Sequence, residues 1–312
     1  MQQAGLLNQT TLVTHFQLQG LSVNQKEQVT MFVMFLILYV LTLIGNILII
    51  TITYDHWLHT PMYFFFSNLF FIDVCHSTVT VPKMLIDTWS EKKLISFDAC
   101  VTQMFFLHLF ACTEIFLLTV MAYDHYVAIC KPLQYMTVIN QKVCVLLAVT
   151  LWTEGTIHSI ALTSLTIRLP YCGPDEIDNF FCDVPQVVKL ACTDTHIIEI
   201  IIISNSGLIS VVCFVVLLVS YTIILVSLRQ QVHRGRWKAL STCAAHFTIV
   251  TLFLGHCIFI YSHPPISLPE DKVFSMFFTA ITPLLHPIIY TLRNKDMKNG
   301  LDEQVTRKEG EE

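Results

Sequence analysis

The sequence predicts an all-α membrane protein built as a bundle of seven transmembrane helices. Of the 312 residues, 54% are hydrophobic and only 13% are charged, and the mean hydropathy is +0.61. A soluble domain carries about 25% charged residues. Seven stretches are apolar over the length of about 20 residues that a helix needs to cross a bilayer. Lipid leaves only helices and closed barrels able to satisfy their backbone groups, and these stretches lack the alternation of barrel strands.

The predicted spans lie between an N-terminal segment, 1–28, and a tail, 293–312. Their limits are about 29–53, 60–86, 97–127, 141–166, 197–228, 238–262 and 273–292. Residues 29–54, 200–228 and 273–292 include no Asp, Glu, Lys or Arg, whereas the second, third and fourth spans each hold a carboxylate that packing against neighbouring helices must accommodate. Pro61 and Pro287 fall where a missing backbone hydrogen bond bends a helix. The tail segment 296–301 reads as a short amphipathic helix on the inner membrane surface.

The distribution of basic residues predicts which side each end faces, because loops on the cytoplasmic side are rich in Lys and Arg. One side collects eleven of the eighteen basic residues, namely Lys131, Lys142, Arg229, Arg234, Arg236, Lys238, Arg293, Lys295, Lys298, Arg307 and Lys308. We therefore expect the N-terminus outside and the C-terminus in the cytosol. Residues 1–26 resemble no secretory signal, so the first span is expected to act as the targeting signal.

Two features of the predicted outer side agree with that orientation. Asn8-Gln9-Thr10 is a glycosylation sequon, although an unused sequon is the alternative. The longest loop, about 167–196, holds Cys172, Cys182 and Cys192, and Cys100 opens the third span on the same face. Four cysteines in an oxidising compartment predict two disulfides, and their spacing allows three pairings.

Ionisable groups inside the spans point to an internal polar site. Asp73 and Glu114 would each cost roughly 2.5 to 3.5 kcal/mol at mid-membrane, so both are expected to face the bundle interior. Glu154, in the fourth span, has no assigned role. On the third span, a set of residues spaced by three or four forms one helical face, and this set is Met104, Leu107, His108, Ala111 and Cys112.

The segment Met121-Ala-Tyr-Asp-His-Tyr-Val-Ala-Ile-Cys130 resembles the signature of olfactory receptors, the odour-sensing branch of rhodopsin-like G-protein-coupled receptors. Nine of its ten positions agree, and His125 replaces the usual arginine. Further matches follow in order along nearly the whole chain, at Gly45-Asn46, Leu58–Phe65, Ser220-Tyr221, Lys238–His246 and Pro287–Asn294.

The resemblance implies a set of structural features. It selects Cys100–Cys182 and Cys172–Cys192 as the disulfides, and it places Asp73 near Glu114 in a central polar network with Asn46. Two close carboxylates can share a proton or bind a sodium ion, and a hydrogen-bonded pair without an ion is the alternative. No other cofactor or metal is expected.

The resemblance also makes the face on the third span one wall of an odorant pocket. The matching positions on later spans are Asn205, Ser206, Ile209, Leu254, Cys257, Ile258, Tyr261 and Thr279. Such a lining is mostly apolar, which suits a small, volatile, hydrophobic ligand with a single hydrogen-bonding group. Helix packing without ligand contact is the alternative for each of these residues.

At the inner end, the resemblance assigns signal transfer to a G protein of the stimulatory olfactory type, which raises cyclic AMP in olfactory sensory neurons. The residues assigned to this switch are Asp124, His125, Tyr126, Tyr221, Lys238, His286 and Tyr290. Histidine lacks the reach and the permanent charge of the arginine that it replaces at position 125. His286 stands where the family usually has asparagine. A weakly coupled or non-signalling receptor is therefore the alternative.

Other classes of protein fit less well. A transporter also buries carboxylates in a helix bundle, but it typically shows internal repeats, and this sequence shows none. A membrane enzyme would need a clustered nucleophile or metal-ligand motif, and neither His-x-x-x-His nor Cys-x-x-Cys occurs. The small net charge of −5, without a basic block, argues against a nucleic-acid partner.

Overall fold

The computed structural model describes residues 13–20, 25–53, 60–172, 175–230, 236–262 and 269–293. Within these residues, seven helical segments are long and apolar enough to cross a membrane, which confirms the predicted fold class. The first six helices are Gln25–Thr53, Pro61–Thr88, Phe97–Cys130, Gln141–Ile167, His196–Gln230 and Arg236–Ser262. The seventh consists of Pro269–Met276, a π-helical turn at Phe277–Ile281, and Thr282–Arg293. The predicted amphipathic helix at 296–301 lies outside the described residues.

The third helix is the centre of the bundle. It packs against the second, fourth, fifth and sixth helices. In its most apolar window, 67% of the residues are buried inside the molecule, against 22% in that of the first helix. Buried polar residues such as Glu114 and Asp124 can therefore sit on this helix without facing lipid.

Local sequence signals set where the helices begin. Pro61 occupies the first turn of the second helix. Backbone N–H groups in the first turn have no partner within the helix, so the missing N–H of proline costs no hydrogen bond there. The Ser96 hydroxyl accepts a hydrogen bond from the N–H of Ala99 at the start of the third helix. Asn140 Oδ1 accepts one from the N–H of Val143 at 3.1 Å at the start of the fourth.

Close packing of the third and fourth helices depends on Gly155. A Cβ atom at this position would lie 2.3 Å from Thr113 Oγ1 and 3.1 Å from the Leu109 carbonyl oxygen. Trp152, one turn away, donates from Nε1 to Asn68 Oδ1 of the second helix at 3.3 Å. The fourth helix is thus held against the second and the third.

One end of the bundle carries a small sheet that the prediction of an all-α protein did not include. Strand β1, His15–Leu18, pairs antiparallel with β2, Leu94–Ser96, and parallel with β3, Glu176–Ile177. Phe16 and Leu18 of β1 are each 1% exposed, in an apolar cluster that includes Cys100 and Cys182. Because the disulfides Cys100–Cys182 and Cys172–Cys192 lie at this end, we call it the disulfide end.

Candidate functional site

A cavity with about 610 Å³ of space between the protein atoms, part of it open to solvent, lies between the helices near the disulfide end. Five helices and one loop contribute its lining, which consists of Leu107, His108, Ala111, Cys112, Ile115, His158, Phe181, Asp183, Ser206, Ile209, Ser210, Cys257, Ser275 and Phe278. Because third-, fifth-, sixth- and seventh-helix residues all face this space, a ligand there can contact all four of these helices at once.

Seven of the thirteen predicted pocket residues line this cavity, and the structure places five elsewhere. Leu107, His108, Ala111, Cys112, Ser206, Ile209 and Cys257 are in the lining. Met104 and Leu254 are fully buried in apolar clusters, and Ile258 is half-buried in the sixth helix. Asn205 is turned to the fourth helix, where its Nδ2 donates to His158 Nδ1 at 3.3 Å. The Tyr261 side chain lies outside the described part of the chain.

The seventh helix contributes Ser275 and Phe278 to the lining in place of the predicted Thr279. Thr279 is 1% exposed, and its hydroxyl donates to the Ser275 carbonyl oxygen at 2.9 Å. The π-helical turn explains the difference, because one extra residue per turn changes which side chains face the bundle. A regular helical period cannot anticipate such a shift.

The lining is more polar than predicted. His108 donates from Nδ1 to the Met104 carbonyl oxygen at 2.9 Å, and its Nε2 lies 3.6 Å from Asp183 Oδ1. Burial raises the pKa of the Asp183 carboxyl, an effect that His108 and the backbone N–H of Val184 partly offset. The hydroxyl of Ser206 is buried and has no partner among the described residues. The cavity thus offers both hydrogen-bond donors and acceptors.

Disulfides and hydrogen bonds hold the loop that supplies Asp183. The structure pairs Cys100 with Cys182 and Cys172 with Cys192, which is the pairing that the resemblance implies. The Cys182 N–H donates to Gln103 Oε1 at 2.8 Å. The disulfide to Cys100 thus fixes Cys182 to the third helix. Because Asp183 is the next residue, this part of the loop has a defined position over the cavity.

A buried polar cluster lies deeper in the bundle, and it contains both predicted carboxylates. The Nδ1 of His286 is hydrogen-bonded to the two carboxyl oxygens of Asp73, at 2.9 and 3.0 Å. His286 Nε2 lies 3.9 Å from Glu114 Oε1, and His76 Nδ1 lies 3.6 Å from Glu114 Oε2. All four side chains are at most 1% exposed. Asn46, also assigned to the network, donates instead to the carbonyl oxygens of Thr42 and Pro283, at 2.9 and 3.0 Å.

Phe278 connects the cavity to this polar cluster. It lines the cavity, and its ring makes an edge-on contact with the His76 ring at a centroid distance of 4.7 Å. His76 in turn faces Glu114. A ligand that displaces Phe278 would therefore act on the polar cluster through one intervening side chain.

At the end opposite the disulfides, the Asp124-His125-Tyr126 triplet has partners on other elements. The Tyr135 hydroxyl donates to Asp124 Oδ1 at 2.8 Å. His125 is 4% exposed, and neither of its ring nitrogens has a partner among the described residues. Its ring lies perpendicular to that of His246, with the centroids 5.1 Å apart. Tyr126 is half-buried beside Lys131, whose Nζ is 6.0 Å from the ring centroid.

His246 joins the remaining predicted switch residues of this end. It is hydrogen-bonded through Nδ1 to the Tyr221 hydroxyl, and its ring centroid lies 6.5 Å from that of Tyr290. His125, Tyr221, His246 and Tyr290 thus form one buried group between the third, fifth, sixth and seventh helices. The side chain of Lys238 lies outside the described residues, as does Asn8.

Sequence reasoning missed His76, His158, Asp183 and His246 as members of these sites. His158 is one helical turn beyond Glu154, which the structure leaves exposed on the fourth helix. Asp183 follows Cys182 directly, and that position next to a predicted disulfide was the one available signal. His246 and His76 are single histidines in apolar stretches, a pattern more typical of ordinary packing.

Comparison with known proteins identifies the family. The family model described as "Olfactory receptor" matches residues 35–308. The chain is 80% identical to Olfactory receptor 4E1 of Homo sapiens, over 100% of this chain and 99% of that protein. It is 61% identical to Olfactory receptor 4E2 of Mus musculus, over 95% of this chain and 96% of that protein. The chain therefore belongs to the olfactory receptor family and is a multi-pass plasma-membrane receptor for odorants, with a G protein as its partner, rather than an enzyme.

Proposed function

We propose that an odorant binds in the cavity near the disulfide end and shifts the bundle toward an arrangement that activates a stimulatory olfactory-type G protein, so that cyclic AMP rises. The observation that supports this proposal is the cavity itself, which third-, fifth-, sixth- and seventh-helix residues share. A ligand shifts a conformational balance only if it binds one arrangement better than the other. A site shared by several helices meets that requirement, because movement of any one of them changes the contacts.

The lining defines the chemical class of the odorant. Leu107, Ile209, Cys257 and Phe278 provide apolar surface, and His108 and Ser206 provide polar groups. We expect a small, largely hydrophobic molecule with one or two hydrogen-bonding groups, because an unpaired buried polar group in the site would disfavour a purely apolar ligand.

The orientation in the membrane is part of the proposal. With the N-terminus outside, the disulfide end faces the oxidising outer compartment, where disulfides persist. The Asp124 end then faces the G protein. His125 and His286 are proposed to weaken coupling, since His125 is buried against His246 and carries no permanent charge to offer a partner.

The polar cluster is proposed to bind a cation, and sodium is the ion that the resemblance implies. Two carboxylates from different helices, Asp73 and Glu114, lie close together in it. A cation there would join the second and third helices, and it would favour the arrangement of the bundle that holds both carboxylates near it.

Odorant-evoked cyclic AMP in cells with verified surface display of the full chain tests the proposal. One odorant panel is applied to the native receptor, to His125→Arg and to Ile209→Trp. We expect a response from the native chain, a larger maximal response from His125→Arg, and none from Ile209→Trp, because the indole would fill the cavity. A response that survives Ile209→Trp at unchanged potency would contradict binding in this cavity. Equal maximal responses from native and His125→Arg would show that histidine does not weaken coupling.

A further inference from the structure

Three buried side chains in the polar cluster form a set of donors for a metal ion. Among the described residues, Asp73, Glu114 and His286 each offer one donor atom, and these atoms all lie within 4.8 Å of one another. The donors come from the second, third and seventh helices. Glu114 Oε1 and His286 Nε2, which lie 3.9 Å apart, are buried without a hydrogen-bond partner among the described residues. An unmet donor or acceptor at such depth is energetically unfavourable unless another group satisfies it.

The identity of the donors indicates which ions would bind. Hard cations take oxygen ligands, whereas an imidazole nitrogen suits zinc, copper, iron and nickel. The olfactory-receptor pattern usually has asparagine at position 286, which would offer an amide oxygen. The histidine of this chain replaces that oxygen with nitrogen, and so changes the preference of the site from sodium toward transition metals.

Asp73 holds His286 in the form that binds a metal. When Asp73 is ionised, both of its oxygens can only accept, so the Nδ1 of His286, which lies 2.9 and 3.0 Å from them, carries the proton and Nε2 carries the free lone pair. Metal-binding histidines typically donate their second ring nitrogen to a carboxylate in this way. Asp73 therefore orients a ligand even where it does not contact the ion.

The distances between the donor atoms allow an ion to bind if the side chains move slightly closer together. His286 Nε2 and Glu114 Oε1 are 3.9 Å apart. Zinc bonds to nitrogen and oxygen are about 2.0–2.2 Å long, so tetrahedral ligands lie roughly 3.4 Å apart, and the pair must approach by about half an ångström. His76 Nδ1, 3.6 Å from Glu114 Oε2, is a third donor, and neither of its ring nitrogens has another partner among the described residues.

The charges also favour a divalent ion. Two ionised carboxylates with neutral imidazoles carry a charge of −2, which a divalent cation neutralises and sodium only halves. Uncompensated charge is strongly unfavourable in a fully buried site. The only alternative source of neutrality within the cluster is protonation of its own carboxylates or imidazoles.

We propose that this receptor binds a divalent transition-metal ion such as Zn²⁺ through His286 and Glu114, with Asp73 orienting His286 and His76 as an additional ligand. The ion would replace the sodium that the proposed function expects at the same carboxylates. It would join the second, third and seventh helices, and thereby stabilise the arrangement of the bundle described here.

Thermal unfolding of the purified full-length receptor in lipid nanodiscs tests the proposal, with the four tryptophans as the fluorescent reporter. After treatment with a chelator, ZnCl₂ or NaCl is added at constant ionic strength. We expect micromolar Zn²⁺ to raise the unfolding midpoint by several degrees in the native chain. His286→Asn, which restores an amide oxygen, and Glu114→Gln should both lose this shift. His196→Asn, at the exposed start of the fifth helix, should keep it.

Cobalt absorption supplies a second readout if a variant does not fold. Co²⁺ bound to the native receptor through histidine and carboxylate should give visible bands that Zn²⁺ removes, without the near-ultraviolet band of a cysteine ligand. A Zn²⁺ shift that is unchanged in His286→Asn would overturn the proposal, as would stabilisation of the native chain by sodium and not by zinc. Because neither odorant nor G protein is present, a failure of signalling leaves this result unaffected.

Discussion

At the residue scale, Asp124 has a hydrogen-bond partner from a loop helix rather than from its own triplet. Tyr135, in the short helix Tyr135–Val138, donates to Asp124 Oδ1 at 2.8 Å. Burial, together with the neighbouring Asp124 carboxylate, raises the pKa of the Tyr135 phenol. The hydroxyl therefore remains a donor at any physiological pH, and the carboxylate keeps a partner although position 125 is not arginine.

Removal of that hydroxyl should destabilise the receptor. In Tyr135→Phe the buried carboxylate of Asp124 loses its hydrogen bond, and an unsatisfied buried acceptor costs about 1–3 kcal/mol. We expect a lower thermal unfolding midpoint and less receptor at the cell surface. Tyr123→Phe is the matched control, because Tyr123 is 50% exposed and loses a hydroxyl that faces outward. Equal midpoints for the two variants would show that the Tyr135–Asp124 bond adds no stability.

Single residues were predictable from the sequence where a motif marked them. The departures at His125 and His286 stand out against the olfactory-receptor signature, and both residues lie in buried groups. The sequence could not predict which residues lie next to these two histidines. His246 and His76 come from helices whose rotation depends on packing along the whole bundle, and a pattern of single histidines does not encode that rotation.

At the scale of the elements, the approach of the third and fourth helices requires a residue without a side chain. At Gly155 an added Cβ would lie 3.1 Å from the Leu109 carbonyl oxygen, which is backbone and cannot rotate away. The same helix pair carries cavity residues, His108 on the third helix and His158 on the fourth. Their separation is thus tied to the width of the cavity.

Gly155→Ala should therefore force the two helices apart. Insertion of one methyl group into a tightly packed contact typically costs about 1–3 kcal/mol. We expect a lower unfolding midpoint and reduced potency for odorants in the cyclic AMP assay. Gly255→Ala in the sixth helix is the control, since no atom lies within 4 Å of its added Cβ, and alanine favours the helix. If Gly155→Ala unfolds no more easily than Gly255→Ala, the helices tolerate the methyl group and the argument is wrong.

Some structural elements could not be predicted from the periodicity of apolar residues. Apolar length alone predicted seven helices long enough to cross a membrane, because bilayer thickness sets helix length. The strands His15–Leu18 and Glu176–Ile177 are too short for an alternating pattern to be read, and their pairing joins distant parts of the chain. The π-helical turn at Phe277–Ile281 likewise depends on tertiary packing, and it exchanges Thr279 for Ser275 and Phe278 in the cavity.

At the scale of the whole molecule, buried contacts run from one end of the bundle toward the other. Phe278 connects the cavity to His76, and His76 faces Glu114 of the polar cluster. His286 of that cluster lies one helical turn before Tyr290, whose ring neighbours His246. Buried side chains therefore extend from the cavity to His246 and to His125 beside it, and His286 and His125 are the two histidines at which this chain departs from the olfactory-receptor pattern.

The orientation of the whole molecule in the membrane can be tested through glycosylation of its N-terminal segment. Eleven of eighteen basic residues are assigned to one side of the membrane, which predicts that the N-terminus and its Asn8 sequon lie outside. We expect the receptor from mammalian cells to migrate faster in a denaturing gel after treatment with an N-glycosidase. Asn8→Gln should abolish that change. Gln9→Ala should preserve it, because the middle position of the sequon tolerates alanine. An N-terminal epitope tag should stain intact cells, and staining only after permeabilisation would show that the N-terminus faces the cytosol and would reverse the assignment of both ends.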